Sequence, residues 1–177
     1  MVEDIVKLCK SLNMENSMKI LSRLNLQAAT SKYKKGEFGY WWTVEQGNAD
    51  IEGKVYPKSI YASLKGLTSL KGAPKEVKGY FMCDNNKIVS LKGSPKKVTG
   101  IFNCGDNPLT SLKGGPEYVG ESYMCGGTYI SDFDGLAKEI GKDLYCQKNP
   151  KLKSLENDSN IKGKIISDFG WKKNPWL

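Results

Sequence analysis

The sequence lacks several residues and segments on which enzymes and membrane proteins depend. Its 177 residues include no histidine, so the commonest general base and the usual serine and cysteine triads are missing. Arg23 is the only arginine, so bidentate recognition of guanine or phosphate has little support. There is no apolar run of about 18 residues, and the start, MVEDIVKLCKSL, carries acids where a signal peptide is positive. We expect a non-enzymatic protein of the cytoplasm.

The sequence does contain an internal repeat, with a period of about 21 residues. Four segments align: LTSLKGAPKEVKGYFMCDNNK, IVSLKGSPKKVTGIFNCGDNP, LTSLKGGPEYVGESYMCGGTY and ISDFDGLAKEIGKDLYCQKNPK. A later segment, IKGKIIS (161–167), overlays VKGYFMC with Ser167 in the cysteine position. An earlier one, IEGKVYP (51–57), is similar but is set off by five extra residues. One unit cannot bury its apolar face alone, so the repeat predicts a mainly β solenoid of stacked units.

Each unit divides into a predicted strand and a return leg. The V-x-G-x-F-x-C part alternates with period two, which predicts one strand with Val77, Gly79, Phe81 and Cys83 pointing inward. An asparagine follows in three units and can bind turn backbone through its side chain: Asn86, Asn107 and Asn149. In the return leg, L-x-x-L-x-G-x-P, two leucines fill the interior and the proline argues against a long helix.

These motifs resemble a known family. NKIVSLKGSP, NPLTSLKGGP and NPKLKSLEN resemble the N-x-L-x-x-L-x-x-x-P pattern of short bacterial leucine-rich repeats. The variant with V-x-G-x-F-x-C before the asparagine resembles repeat proteins of bacteriophage genomes. The resemblance implies a leucine-rich-repeat-like solenoid. It also implies a phage-encoded factor that binds and inhibits or redirects a host protein, such as a defence component.

The flanks predict caps on the stack. Helices are expected at Val2–Leu12 and Met18–Leu26, and GEFGYWWTVEQGNADIEGKVY is expected to form a hairpin that turns at EQGN. At the other end Trp171 and Trp176 are expected to seal the core. The resulting division is a helical N-terminal cap at 1–41, a hairpin and first rung at 42–66, four repeats at 67–157, and a last rung with a C-terminal cap at 158–177.

Cysteines that recur once in every repeat could be metal ligands, disulfide partners or buried packing residues. The four are Cys83, Cys104, Cys125 and Cys146. Structural zinc sites use short C-x₂₋₄-C pairs, which are missing, and cysteines in a line about 4.8 Å apart cannot surround an ion. Disulfides between neighbouring rungs are geometrically possible, but a reducing cytosol and inward burial disfavour them. We therefore expect a ladder of small hydrophobes, without metal or cofactor.

Charge is concentrated in one part of the chain. The net charge is +8, and residues 51–100 carry ten lysines against three acids. These lysines predict either a solvated face or a patch for an anionic partner, with nucleic acid as the alternative function. The patch comprises Lys71, Lys75, Lys87, Lys92, Lys96 and Lys97. The best carboxylate pair for catalysis, Asp132 and Asp134, stands where other repeats have TSLKG and is interpreted as a return-leg variation.

The outward positions of the predicted strand remain as a binding surface. Exposed tyrosine, isoleucine and methionine on a rigid sheet suit protein recognition. The predicted partner-binding residues are Lys78, Tyr80, Met82, Ile101, Asn103, Ser122, Met124, Asp143 and Tyr145. The sequence thus predicts a non-catalytic protein-binding module with a host protein as partner.

Overall fold

The computed structural model describes residues 23–24, 26–27, 30–153, 161–168 and 170–173. They form a mainly β parallel solenoid of about five turns, as the repeat predicts. Each turn, or rung, contains two short strands and an irregular return leg, and strands of neighbouring rungs pair at an offset of one repeat period. Among the described residues no helix is long and apolar enough to cross a membrane.

The first strands of the rungs build a five-stranded parallel sheet. Its inner position is valine in three of the five strands, and the strands are β1 Val55–Tyr56, β3 Glu76–Val77, β5 Lys97–Val98, β7 Tyr118–Val119 and β9 Glu139–Ile140. The bridge between Ile140 and Ile161 extends the same ladder by one rung.

The second strands build a seven-stranded sheet, in the order β12-β11-β10-β8-β6-β4-β2. All neighbours are parallel except the last pair, β11 and β12, which form an antiparallel hairpin at the C-terminal end. The strands are β2 Ile60–Tyr61, β4 Phe81–Met82, β6 Phe102–Asn103, β8 Tyr123–Met124, β10 Leu144–Tyr145, β11 Lys164–Ser167 and β12 Gly170–Lys173.

The prediction of one continuous strand from Val77 to Cys83 is wrong, because the chain bends between the two sheets. The bend occupies residues 78–80 and its repeats. Gly100 is buried there, and a Cβ on it would collide with the Tyr80 ring, so this rung has no room for a side chain at Gly100. The position of Gly79, predicted to face inward, carries an ion pair at the surface two rungs later, between Glu121 and Lys142 (2.9 Å).

The first rung also differs from its prediction. Val55 pairs with Glu76 and Ile60 pairs with Phe81, both at the same offset as in the later rungs. The segment that aligns with VKGYFMC is therefore YPKSIYA rather than IEGKVYP. With this alignment the first rung keeps the period of the later rungs, and no extra residues separate it from them. Its inner positions carry isoleucine and alanine in place of phenylalanine and cysteine, which concealed the match.

The predicted hairpin around EQGN is helical instead. A short α-helix, α1 (Phe38–Tyr40), continues into a π-helical turn (Trp41–Glu45). This segment covers the N-terminal end of the core, because the Phe38 ring lies 5.8 Å from that of Phe81. The predicted helix at Met18–Leu26 is supported at its end, where residues 23, 24, 26 and 27 are helical. Val2–Leu12, the side chain of Trp171 and all of Trp176 lie outside the described residues.

The core is a set of ladders in which one residue type recurs at one position. Phe81 stacks on Phe102 with ring centroids 5.9 Å apart, and Phe102 lies 5.0 Å from Tyr123. The valine, cysteine and return-leg leucine positions are fully buried in the central rungs. Ser167 is buried in the cysteine position of the last rung, as predicted.

A ladder of buried asparagines connects the rungs. Asn107 Nδ2 donates to the carbonyls of Cys104 (3.1 Å) in its own rung and Cys83 (3.0 Å) in the previous one. Its Oδ1 accepts the backbone N–H of Ile88 (3.0 Å), also in the previous rung. Asn86 and Asn149 bind in the same way, whereas Thr128 takes this position in one rung. The side chain thus satisfies buried backbone groups that the short strands leave unpaired.

The asparagine ladder predicts a specific stability effect. Asn107→Ala leaves the Cys104 carbonyl and the Ile88 N–H buried without a partner, whereas the Cys83 carbonyl still accepts from Asn86 Nδ2 (3.0 Å). We therefore expect the free energy of unfolding to fall by about 3 kcal/mol, at about 1–3 kcal/mol for each unsatisfied group. Asn107→Thr copies Thr128 and should lose clearly less. Denaturant unfolding measures both. An alanine variant within about 0.5 kcal/mol of the unsubstituted protein would contradict the role of the ladder.

Candidate functional site

One column of side chains runs along the outside of the seven-stranded sheet. In β2, β4, β6, β8 and β10 the first residue is buried and the second is partly or fully exposed. Ile165 and Ile166 repeat this pattern in β11, so the outer residues stack from rung to rung through the strand pairing. We call this set the outer column: Tyr61, Met82, Asn103, Met124, Tyr145 and Ile166. Four of the predicted partner-binding residues lie in it, and Tyr61 and Ile166 extend it at either end.

The other predicted partner-binding residues lie at the bend between the sheets. Lys78 and Tyr80 are exposed there, and Ile101 and Asp143 are half-buried. Ser122 is buried, so its predicted exposure is wrong. Its small side chain is covered between Ile101 and Asp143, which hold the same position in the neighbouring rungs.

A groove of about 280 Å³ opens along the outer column. Asn103, Met124 and Tyr145 line it. Two glycines also line it, at a position where the rungs on either side carry larger side chains (Gly105 and Gly126, against Asp84 and Gln147). The missing side chains lower the surface over two rungs, which makes a flat sheet concave.

Polar groups fix the residues of the groove. The Tyr145 hydroxyl donates to Asp143 Oδ2 (3.4 Å), while the other oxygen of Asp143 accepts the Lys164 N–H (2.7 Å). Asn103 Oδ1 accepts the Gly105 N–H (3.0 Å), which points the amide nitrogen of Asn103 away from the backbone. The groove therefore combines a thioether, an aromatic ring and amide donors on a rigid frame.

The charged rim of the groove was not predicted. Asp106 and Lys148 stand there because each occupies a left-handed turn just before the asparagine position, with φ of 50° and 57°. Gly127 takes the same turn between them and leaves room for the Asp106 carboxylate. The sequence contained a signal for this left-handed turn. The position is Asn, Asp or Gly in three of five rungs, and these residues tolerate such a turn.

The four ladder cysteines are buried free thiols. The thiol of Cys83 donates to the Asn103 carbonyl (3.2 Å), and Cys104 and Cys146 donate to the equivalent carbonyls of the next rung. Burial raises the pKa of Cys104 to about 12 and the pKa of Cys83 well above its ordinary range. In the described part of the chain, no cluster of three or more Cys, Asp or Glu side chains is placed to hold a metal. The predicted burial of the ladder cysteines is confirmed.

Asp132 stabilises a turn of the return leg, and Asp134 forms an ion pair. Asp132 Oδ1 accepts the Asp134 N–H (2.9 Å), the bond that Ser111 makes with the Lys113 N–H in the preceding rung. This backbone hydrogen bond lowers the pKa of Asp132. Asp134 pairs with Lys113 at 2.6 Å. Both carboxylates are thus occupied by return-leg contacts.

The lysines of the predicted basic patch differ in whether they form ion pairs. Lys97 pairs with Glu76 (3.5 Å) and Lys71 with Glu37 (3.4 Å). The other four make no ion pair with any residue that the structure describes: Lys75, Lys87, Lys92 and Lys96.

Comparisons with protein-family models, with curated proteins and with solved structures found no match to this chain.

The cysteine ladder predicts thiols that are inert in the folded protein. In a Cys9→Ser variant at about pH 8, a thiol reagent should label none of the four ladder cysteines, because burial excludes the reagent and keeps the thiols protonated. In denaturant all four should react. Rapid labelling of any of them in the folded protein, followed by mass spectrometry, would show that the ladder is chemically accessible.

Proposed function

We propose that this protein is a non-catalytic protein-binding module that binds its partner through the outer column. The observation that supports this proposal is the groove at Met124 and Tyr145, which combines exposed apolar surface with the polar edge of Asn103. Methionine and tyrosine are enriched at protein interfaces, where a few buried anchors dominate the binding energy.

The contact would be made with little rearrangement. The outer column is held at each rung by parallel strand pairing, and Tyr145 is fixed by Asp143. A rigid surface loses little conformational entropy on binding, so more of the contact energy appears as affinity. An apolar side chain from a partner loop can pack against Met124 and Tyr145, which are neighbours in the strand pairing, while the Asn103 amide can bind the loop backbone.

The class of partner, a host protein, is proposed from the resemblance to repeat proteins of bacteriophages. That resemblance supports a phage-encoded factor that binds a host protein and inhibits or redirects it. A binding mode of this kind needs no catalytic residue, which agrees with a sequence that contains no histidine.

The test is capture of a host protein from bacterial lysate by the immobilised protein. Met124→Ala/Tyr145→Ala should weaken capture about 30-fold, which corresponds to the roughly 2 kcal/mol of a hot spot. The matched control is Val89→Ala/Tyr129→Ala, which removes exposed apolar side chains from the return leg and the turn before it. This control should leave capture unchanged, and so should about 500 mM salt, since the contact is not mainly ionic.

Two results would contradict the proposal. One is a captured protein that both double variants retain equally well. The other is loss of capture with the control variant alone, which would place the binding surface on the return leg.

A further inference from the structure

Lysines gather at the turn that leads from the return leg into the five-stranded sheet. Lys92 and Lys96 flank this turn in one rung, where the Ser94 N–H donates to the Leu91 carbonyl (2.9 Å). The preceding rung has an equivalent turn, closed by the Ala73 N–H and the Leu70 carbonyl (3.0 Å). We call the following residues the lysine cluster: Lys54, Lys71, Lys75, Lys92 and Lys96.

Three members of the cluster stack directly. The Lys75 N–H donates to the Lys54 carbonyl (2.9 Å), and the Lys96 N–H donates to the Lys75 carbonyl (2.8 Å). The three backbones are therefore neighbours in successive rungs, about 4.8 Å apart. Like charges at this spacing repel each other, and an anionic ligand would remove that repulsion.

The same positions are neutralised in the C-terminal rungs. Lys113, which follows Lys92 in the stack, pairs with Asp134 at 2.6 Å. Glu117, which follows Lys96, pairs with Lys138 at 2.6 Å. The cluster has little such compensation within the described ranges: Lys71 reaches Glu37 at 3.4 Å, and Lys54 donates to the carbonyl of Asp50. At these positions, within the described rungs, the lysines of the N-terminal rungs are thus compensated less than their equivalents in the C-terminal rungs.

A groove of about 560 Å³ lies beside the cluster and is lined by Lys71 and Lys92. Ser69 and Ser90 also line it. Their hydroxyl oxygens accept the N–H of Lys71 and Lys92 (3.1 and 3.2 Å), which leaves the hydroxyl protons to be donated to a ligand. The lining carboxylate, Glu52, is bound by Lys32 (2.9 Å). The polar groups that line the groove are therefore mainly hydrogen-bond donors, which is the chemistry of an anion site.

We propose that the lysine cluster binds the phosphate backbone of a nucleic acid without regard to sequence. A straight column of evenly spaced cations suits a regularly charged polymer, and lysine contacts phosphate as a point charge. Arg23 is the only arginine, so the cluster lacks the guanidinium forks that read guanine. This surface is separate from the outer column, because it lies on the side of the five-stranded sheet. The inference does not depend on the protein-binding proposal.

The experiment measures binding of a fluorescein-labelled 20-nucleotide single-stranded DNA by anisotropy over a range of salt concentrations. The logarithm of the affinity should fall linearly with the logarithm of salt concentration, with a slope of about −0.7 for each phosphate contacted. Lys92→Gln/Lys96→Gln should reduce the magnitude of that slope by about 1.4 and weaken binding at about 50 mM salt roughly tenfold.

The control is Lys113→Gln/Lys138→Gln, which removes the same formal charge from the same positions of later rungs, where acids already compensate it. It should bind within about twofold of the unsubstituted protein. Equal weakening by both variants would overturn the proposal, since it would reveal only a net-charge effect. Absence of salt-dependent binding would also overturn it. So would poly-glutamate of equal length binding as tightly as the DNA, which would indicate an acidic protein as the ligand.

Discussion

The structure depends on one constraint, the hydrogen bonding of every rung to its neighbour at a constant offset of one repeat period. Strands this short cannot persist alone, and each contributes only by pairing with strands above and below it. The asparagine ladder applies the same offset, since Asn107 spans the carbonyls of two successive rungs. A shift of one residue would move each inner side chain outward and separate each asparagine from its backbone partners.

This constraint separates the positions that hold the fold from those free to vary. The inner phenylalanine, cysteine and valine positions keep their character because a neighbour of similar size lies above and below them. Outer side chains do not have to match the size of a buried neighbour, and they line up as columns on a rigid surface. The outer column lies on the seven-stranded sheet, and the lysine cluster lies at the turns that lead into the five-stranded sheet, so the solenoid can present two separate surfaces.

The fold class and most of the core could be predicted because they repeat. The inward direction of the cysteines and the last rung at Ser167 both followed from the period. The bend recurs in each rung, but it depends on contacts between rungs, such as the tight approach of Gly100 to Tyr80, that the alternation of residue types does not show. The helical segment at Phe38–Tyr40 and Trp41–Glu45 does not repeat, and it depends on the packing of Phe38 over Phe81. The groove depends on which rungs lack a side chain, and the lysine cluster depends on which lysines meet an acid one rung away.

Two deletions test the register most directly. Removing residues 77–97 takes out one full period and joins Glu76 to Val98, so that Phe102 replaces Phe81 beneath Phe38 and Asn107 replaces Asn86 beside Ala62. Removing residues 77–96 takes out one residue fewer and shifts every later rung by one position. Circular dichroism and thermal unfolding should show a folded, cooperative protein for the full-period deletion, and loss of the β signal or of the cooperative transition for the shorter deletion. Equal behaviour of the two shortened proteins would contradict the account.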